Sequence, residues 1–87
     1  MGELLFKYQQ ISDFAELDGM TYNKVTKGTT FTYSANTSNM PKGFTAGTIF
    51  ITRSGQYSTV NIAMDSSNKI FRRSFTTDSG WKDWAEL

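Results

Sequence analysis

Two tryptophans three residues apart, Trp81 and Trp84, stand near the end of an 87-residue chain, and they restrict its folding more than any other feature. The tail reads Ile70-Phe71-Arg72-Arg73-Ser74-Phe75, a polar tract Thr76 to Gly80, then Trp81-Lys82-Asp83-Trp84-Ala85-Glu86-Leu87. Each indole can bury roughly 200 Å², about 5 kcal/mol at 25 cal/mol per Å². Chain ends fray unless something ties them down, so the tail is expected to fold back onto the body. The expectation is that Trp81 and Trp84 belong to the core. The competing reading makes one of them an exposed platform for a ligand.

Length then sets the scale. Eighty-seven residues make one domain, residues 1–87, and a chain of this size buries only about 60–65% of its unfolded surface. Domains this small often lean on disulfides, metals or partners. With no cysteine and no histidine, disulfides, thiolate chemistry and the usual zinc sites are excluded, and no cofactor is expected. Only oxygen-ligand metals remain possible, and oligomerisation is a natural source of the missing stability. Nine basic against eight acidic side chains leave a net charge of +1, and no block of like charge gives a reason to expect nucleic acid or an acidic membrane surface. No apolar run is long enough to span a bilayer. Leu4-Leu5-Phe6 is too short for the apolar stretch of a signal peptide. Met1-Gly2 leaves open that the chain is a piece of a longer protein.

Abundant Thr, Ser and Asn, aromatics at 15% and few Leu or Ala suit the pleated surface of a small β domain. Leu4 to Ile11 alternates imperfectly and reads as a strand. Asp13 and Glu16 have the N-cap and N3 spacing of a short helical turn over residues 13–17, stopped by Asp18-Gly19. Residues 1–17 are a candidate connecting or trimer-forming segment. Thr21 to Val25 is a short candidate strand. Thr29 to Ser34 places Thr29, Phe31 and Tyr33 on one face, as in a half-buried antiparallel strand. Asn36 to Ala46 is a loop, because Asn36, Asn39, Pro41 and Gly43 do not serve a central strand; Phe44 is expected to plug the core from it. Gly47 to Arg53 is the clearest strand, with Ile49 and Ile51 facing one way and Phe50 the other, a run that argues for burial on both faces. Ser54-Gly55-Gln56 is a hairpin turn. Tyr57 to Met64 returns, with Val60, Ile62 and Met64 as its expected core set. Asp65 to Asn68 turns the chain into a third strand, Lys69 to Phe75. Turns every ten to twelve residues point to an antiparallel all-β meander or sandwich with at most one short helical turn.

Chemistry is sparse. Ser–His and Cys–His nucleophile systems and a P-loop are absent. Paired carboxylates remain formally open; Asp65, Asp78 and Asp83 are the ones to test, yet no strand context raises a carboxyl pKa, and no enzyme is expected. Asp65 with Asn68 is half a calcium loop at most. Binding features are richer. Tyr, Asn, Thr and Ser in loops offer flat faces and adaptable hydrogen bonds. Arg53, Arg72 and Arg73 could hold carboxylates, although each can equally pair across strands or lie over an aromatic ring. That second use is favoured for Arg73, with Phe75 and Trp81 close by in sequence. The expected ligand-binding residues are Asn36, Asn39, Arg53 and Tyr57; the expected core is Trp81, Trp84, Ile49, Ile51, Val60, Ile62 and Phe71.

The tail also resembles a known group. Gly47-Thr48-Ile49-Phe50-Ile51, Val60-Asn61-Ile62, Asp65 to Asn68, Phe71-Arg72-Arg73 and Trp81-Lys82-Asp83-Trp84-Ala85-Glu86-Leu87 together resemble the knob modules of phage tail fibres, of the pyocin-knob type. The upstream loop with Asn39, Pro41 and Gly43 fits the same pattern, whereas Thr29 to Tyr33 departs from it. The resemblance implies a virion-associated, non-enzymatic module, often a homotrimer, that contacts a host-surface glycan or receptor. Its alternative is a purely structural or trimerising module among other virion tail proteins, with no host ligand.

The tail reading is directly testable. Trp84→Ala is expected to destabilise the domain by about 3–5 kcal/mol, the usual cost of truncating a buried large aromatic, and Trp81→Ala by less. Denaturant melts of the two variants check both the size and the order.

Overall fold

A computed structural model describes residues 9–21, 29–53 and 57–87, with the Arg53 side chain outside that description. The expected strand residues Leu4 to Tyr8, the candidate strand 22–25 and the turn Ser54-Gly55-Gln56 lie outside the described residues. What is described is mostly β, as composition and turn spacing predict: one open mixed sheet with a single short helix.

Strands β1 (Gln9–Gln10), β2 (Thr29–Tyr33), β3 (Gly47–Arg53), β4 (Ser58–Asp65), β5 (Lys69–Thr76) and β6 (Gly80–Trp81) lie side by side in chain order, and β7 (Ala85–Glu86) also pairs with β5. β2 to β5 form an antiparallel meander. β1 runs parallel to β2, so the sheet is mixed. The tail returns along the outer edge of β5 in two pieces: Phe75 faces Trp81, and Phe71 faces Glu86. The Lys82 amide donates to the Ser74 carbonyl at 2.9 Å and the Leu87 amide to the Ile70 carbonyl at 2.8 Å. Between those pieces the chain leaves the ladder, and there Trp84 packs against the core.

One face of the sheet is covered by a 3₁₀ helix, Phe14–Gly19, and by the loop 34–46. Asp13 caps the helix by accepting from the Ala15 amide at 2.8 Å. Glu16 reaches back to Ser12, taking its hydroxyl at 2.8 Å. The acidic spacing thus makes a capped turn, one that runs on through Gly19 to Met20. The helix ties to the loop through two backbone bonds, Phe14 N–H to the Ser38 carbonyl and Ser38 N–H to the Ser12 carbonyl, both 2.9 Å. Ile11, Phe14 and Leu17 are buried, which anchors this segment to the core.

Aromatic rings fill the space between helix and sheet. Phe44 enters from the loop, as expected, and stacks on Phe71 with centroids 4.1 Å apart. Phe14 meets Tyr33 and Phe44 edge-on at 5.2 and 5.4 Å. Trp84 closes the cluster edge-on to Phe44 at 5.2 Å. Ile49 and Ile51 lie beneath with no exposure. Both tryptophans are only half-buried, which places the cost of Trp84→Ala toward the lower end of its range.

Two expectations about the sheet need correction. Strand β3 is buried on one face only: Phe50 is 37% exposed. In β4 the inward set is Thr59, Asn61, Ala63 and Asp65, all buried, while Val60 and Ile62 are half-buried and Met64 is 49% exposed. Register is the reason. Ile49 stands opposite Ala63 and Ile51 opposite Asn61, whereas Phe50 stands opposite Ile62; directly paired residues share a face. Val60, Ile62 and Met64 therefore line the open side of the sheet with Phe50 and Ile70. Among the described residues there is one sheet, and its covering layer is helix and loop.

The register is fixed by one carboxylate. Asp65 accepts from the Tyr33 hydroxyl at 2.7 Å, the Thr45 amide at 2.8 Å, the Thr45 hydroxyl at 2.6 Å and the Ser67 amide at 2.9 Å. Gly47 lies between Tyr33 and Asp65 in the ladder. A Cβ there would collide with the Met64 carbonyl oxygen and stand 3.0 Å from both the Asp65 Cα and the Tyr33 hydroxyl. Burial alone would raise the Asp65 carboxyl, but the hydrogen bonds from Ser67, Thr45 and Tyr33 outweigh it and hold the group well below the usual range. Burial, aided by the Asp65 charge, pushes the Tyr33 hydroxyl up.

Gly47→Ala should cost about 1–3 kcal/mol, the range for overpacking, and Asp65→Ala at least about 3 kcal/mol, because it strands buried donors. Because the folded-state pKa of Asp65 is lowered, its contribution is complete above the unfolded value of about 3.9 and is lost as pH falls below it toward the folded value. Urea melts across the acid range should show that loss in the native chain and a flatter acid limb in Asp65→Asn.

Candidate functional site

Arg73 is the one charged side chain on the covered face of β5 that the core has drawn in. It stands opposite Asn61 and its side chain is 10% exposed. Its guanidinium lies over the Trp81 ring at 3.8 Å from the centroid and 5.1 Å from that of Trp84. Nε donates to the Asn61 side-chain oxygen at 3.0 Å, and Nη2 to Asp18 at 2.9 Å. Trp81 joins the same group by donating its indole N–H to the Asp18 carbonyl at 3.0 Å. Burial lowers the pKa of Arg73 and the Asp18 charge opposes that change; the guanidinium remains cationic. The sequence alternative of Arg73 lying over an aromatic ring is the one found, and Arg72 points to the open side, as strand alternation requires.

Above this pair opens a cleft of about 210 Å³ lined by Phe14, Ala15, Asp18, Asn39, Pro41, Arg73 and Trp84. Phe14 and Trp84 form an aromatic wall. Asn39, in the left-handed region at φ 56°, forms another with Pro41. Its amide nitrogen donates to both Asp13 oxygens at 2.9 and 3.1 Å, and that bond, with the Ala15 amide, holds the Asp13 carboxyl below its usual range. The loop is thereby fastened to the helix cap.

The expected ligand residues are distributed rather than gathered. Asn39 lines the cleft. Asn36 is exposed at a turn of the same loop and borders a different hollow with Gln10, Ser12 and Ser34. Tyr57 is 57% exposed. It lies just before β4, while the Arg53 backbone closes β3. The loop enters β3 at Gly47 and the hairpin leaves it at Arg53, so their attachment points are about 20 Å apart at the usual strand rise. Phe14, Asp18 and Pro41 went unmarked as site residues. Asp18 reads as a helix stop and Phe14 as one residue of the helical turn, and only tertiary contact brings them to Arg73. Among the described residues no group of three or more acidic side chains could hold a metal ion. Asp65, a candidate carboxylate, has both oxygens occupied by the contacts that fix the register.

Arg73→Lys keeps the charge but loses the flat stack and the Nε bond to Asn61. It should destabilise the domain by about 1–3 kcal/mol, with Trp fluorescence reporting the altered surroundings of Trp81.

Residues 6–87 match the family model of the XkdV N-terminal domain. No curated protein and no solved structure gave a match. The match supports a phage protein; it does not extend to the narrower pyocin-knob resemblance seen in the tail. An all-β sheet closed by its own C-terminal edge and matched over residues 6–87 thus belongs to the family of the XkdV N-terminal domain, a phage-associated domain.

Proposed function

We propose that this domain is a non-enzymatic structural module of a phage tail that assembles as a homotrimer and leaves its helix-and-loop side free to meet the host surface. One observation carries the reading: the open side of the sheet bears an apolar stripe. Val60, Ile62 and Met64 run along β4, flanked by Phe50 on β3 and Ile70 on β5, with Phe50, Met64 and Ile70 exposed by 37, 49 and 40%. Their outward neighbours on β2 and β3 are Thr30, Thr32, Thr48 and Thr52, and Arg72 is the charge at the β5 border.

The stripe is about 13 Å long and spans three strands, roughly 200 Å² in plan. A stable pairwise interface buries about 800 Å² per partner, so two stripes face to face fall short. Closed rotational symmetry is the usual form of homo-oligomers, and in a ring of three the stripe is the apolar centre of an interface that also takes in the polar surface around it. The cleft above Arg73 opens on the opposite layer and stays accessible in such an arrangement.

Sedimentation at micromolar concentration should give a trimer that Phe50→Glu or Met64→Glu reduces to a folded monomer. Monomer throughout would overturn the assembly. Labelled trimer should bind host cells; failure to bind even when fused to a strong trimerising stalk would leave a module that only docks to other virion tail proteins.

A further inference from the structure

We propose that the cleft between the 3₁₀ helix, the Asn39–Pro41 loop and Trp84 is a binding site for a single neutral sugar ring. The inference rests on the host-facing role above for its biological meaning, but the site itself is complete in one chain.

Size comes first. At about 210 Å³ the cleft is smaller than the roughly 300–1,000 Å³ of pockets for drug-sized ligands, so it has room for one ring and not for a chain of them. Its charge is balanced: Arg73 and Asp18 meet at 2.9 Å. An anion entering the cleft meets the Asp18 carboxylate, which is 58% exposed; a cation meets the guanidinium. A neutral guest avoids both costs.

The pair also presents an acceptor and a donor side by side. Vicinal hydroxyls match that arrangement, because each hydroxyl can both donate and accept: one donates to Asp18 while its neighbour accepts from Arg73. Beside these polar groups lie Pro41 and Trp84, the Trp84 ring 5.1 Å from the guanidinium carbon, apolar surfaces suited to the C–H groups of a pyranose. A polar pair beside an apolar edge matches a sugar ring, which carries hydroxyls around its C–H groups.

The groups are held before any ligand arrives. Trp81 supports the Arg73 plane at 3.8 Å and Asn61 holds Nε at 3.0 Å. Asn39 is tied to Asp13. Little side-chain freedom is left to lose, which favours binding by so small a ligand. Affinity for one ring remains weak, and three clefts on a trimer could raise it by about 10²–10⁴ when the geometry allows.

The test titrates the 87-residue chain, and its Phe50→Glu variant, with glucose, galactose and N-acetylglucosamine into the high millimolar range. The readouts are the indole N–H of Trp84 and the amides of Ala15 and Asn39 by heteronuclear NMR. At least one sugar should give a saturable shift confined to these signals. Asp18→Ala, at an exposed helix position, should weaken it at least tenfold. Ala15→Trp, which fills the cleft while leaving both members of the ion pair in place, should abolish it. No saturable shift with any sugar, a shift unchanged in either variant, or an equal shift with acetate would overturn the proposal. Binding retained in Phe50→Glu separates the site from the assembly, since either can then fail without the other.

Discussion

The Asp65 carboxylate holds the sheet in register. Four donors converge on it from β2, from the loop before β3 and from the turn after β4. A shift of one residue between β3 and β4 would turn Asp65 outward and strand the Tyr33 hydroxyl in the core, because side chains alternate with a period of two. Gly47 is the complement of that contact: the strand between Tyr33 and Asp65 must carry no side chain for the hydroxyl to pass. A buried charge satisfied on every side is specific in a way that apolar packing is not, since alternatives leave it unpaired.

That constraint also decides which side of β4 faces in. The aromatic cluster above the sheet is supplied by the helix, the loop, β2, β5 and the tail. Little room remains over β4, which contributes Ala63 beneath the rings and Asn61 to hold Arg73. Its branched side chains go to the open face. The apolar stripe is a by-product of the same register that builds the core, and it supplies the surface on which assembly is proposed.

The tail performs two tasks that its sequence merges. As an edge strand in two pieces it finishes the sheet, and where it leaves the ladder it adds Trp84 to the core. Trp81 supports the guanidinium of Arg73, whose long side chain would otherwise sample many conformers. The two readings of the tryptophans were thus not exclusive: Trp84 is at once a wall of the core and a wall of the cleft.

Alternation and turn residues alone determined the all-β class, the four strands between Thr29 and Thr76, the capped turn at Asp13, the entry of Phe44 and the burial of Ile49, Ile51 and Phe71. These follow from local chemistry: a period of two, the φ preferences of Asn, Gly and Pro, and the hydrogen bonds of short acidic side chains. Tertiary structure decided the rest. In Tyr57 to Asp65 two faces compete, one apolar and one small and polar, and hydropathy chooses Val60, Ile62 and Met64. The fold chooses Asp65 and its face, because Tyr33 and Thr45, distant in sequence, supply the donors that make its burial favourable. The cleft was legible only in fragments, as Asn39 in a loop and Arg73 beside aromatics. Asp18 lies 55 residues from Arg73, and no local pattern encodes a pair that only the returning sheet and the helix above it bring together.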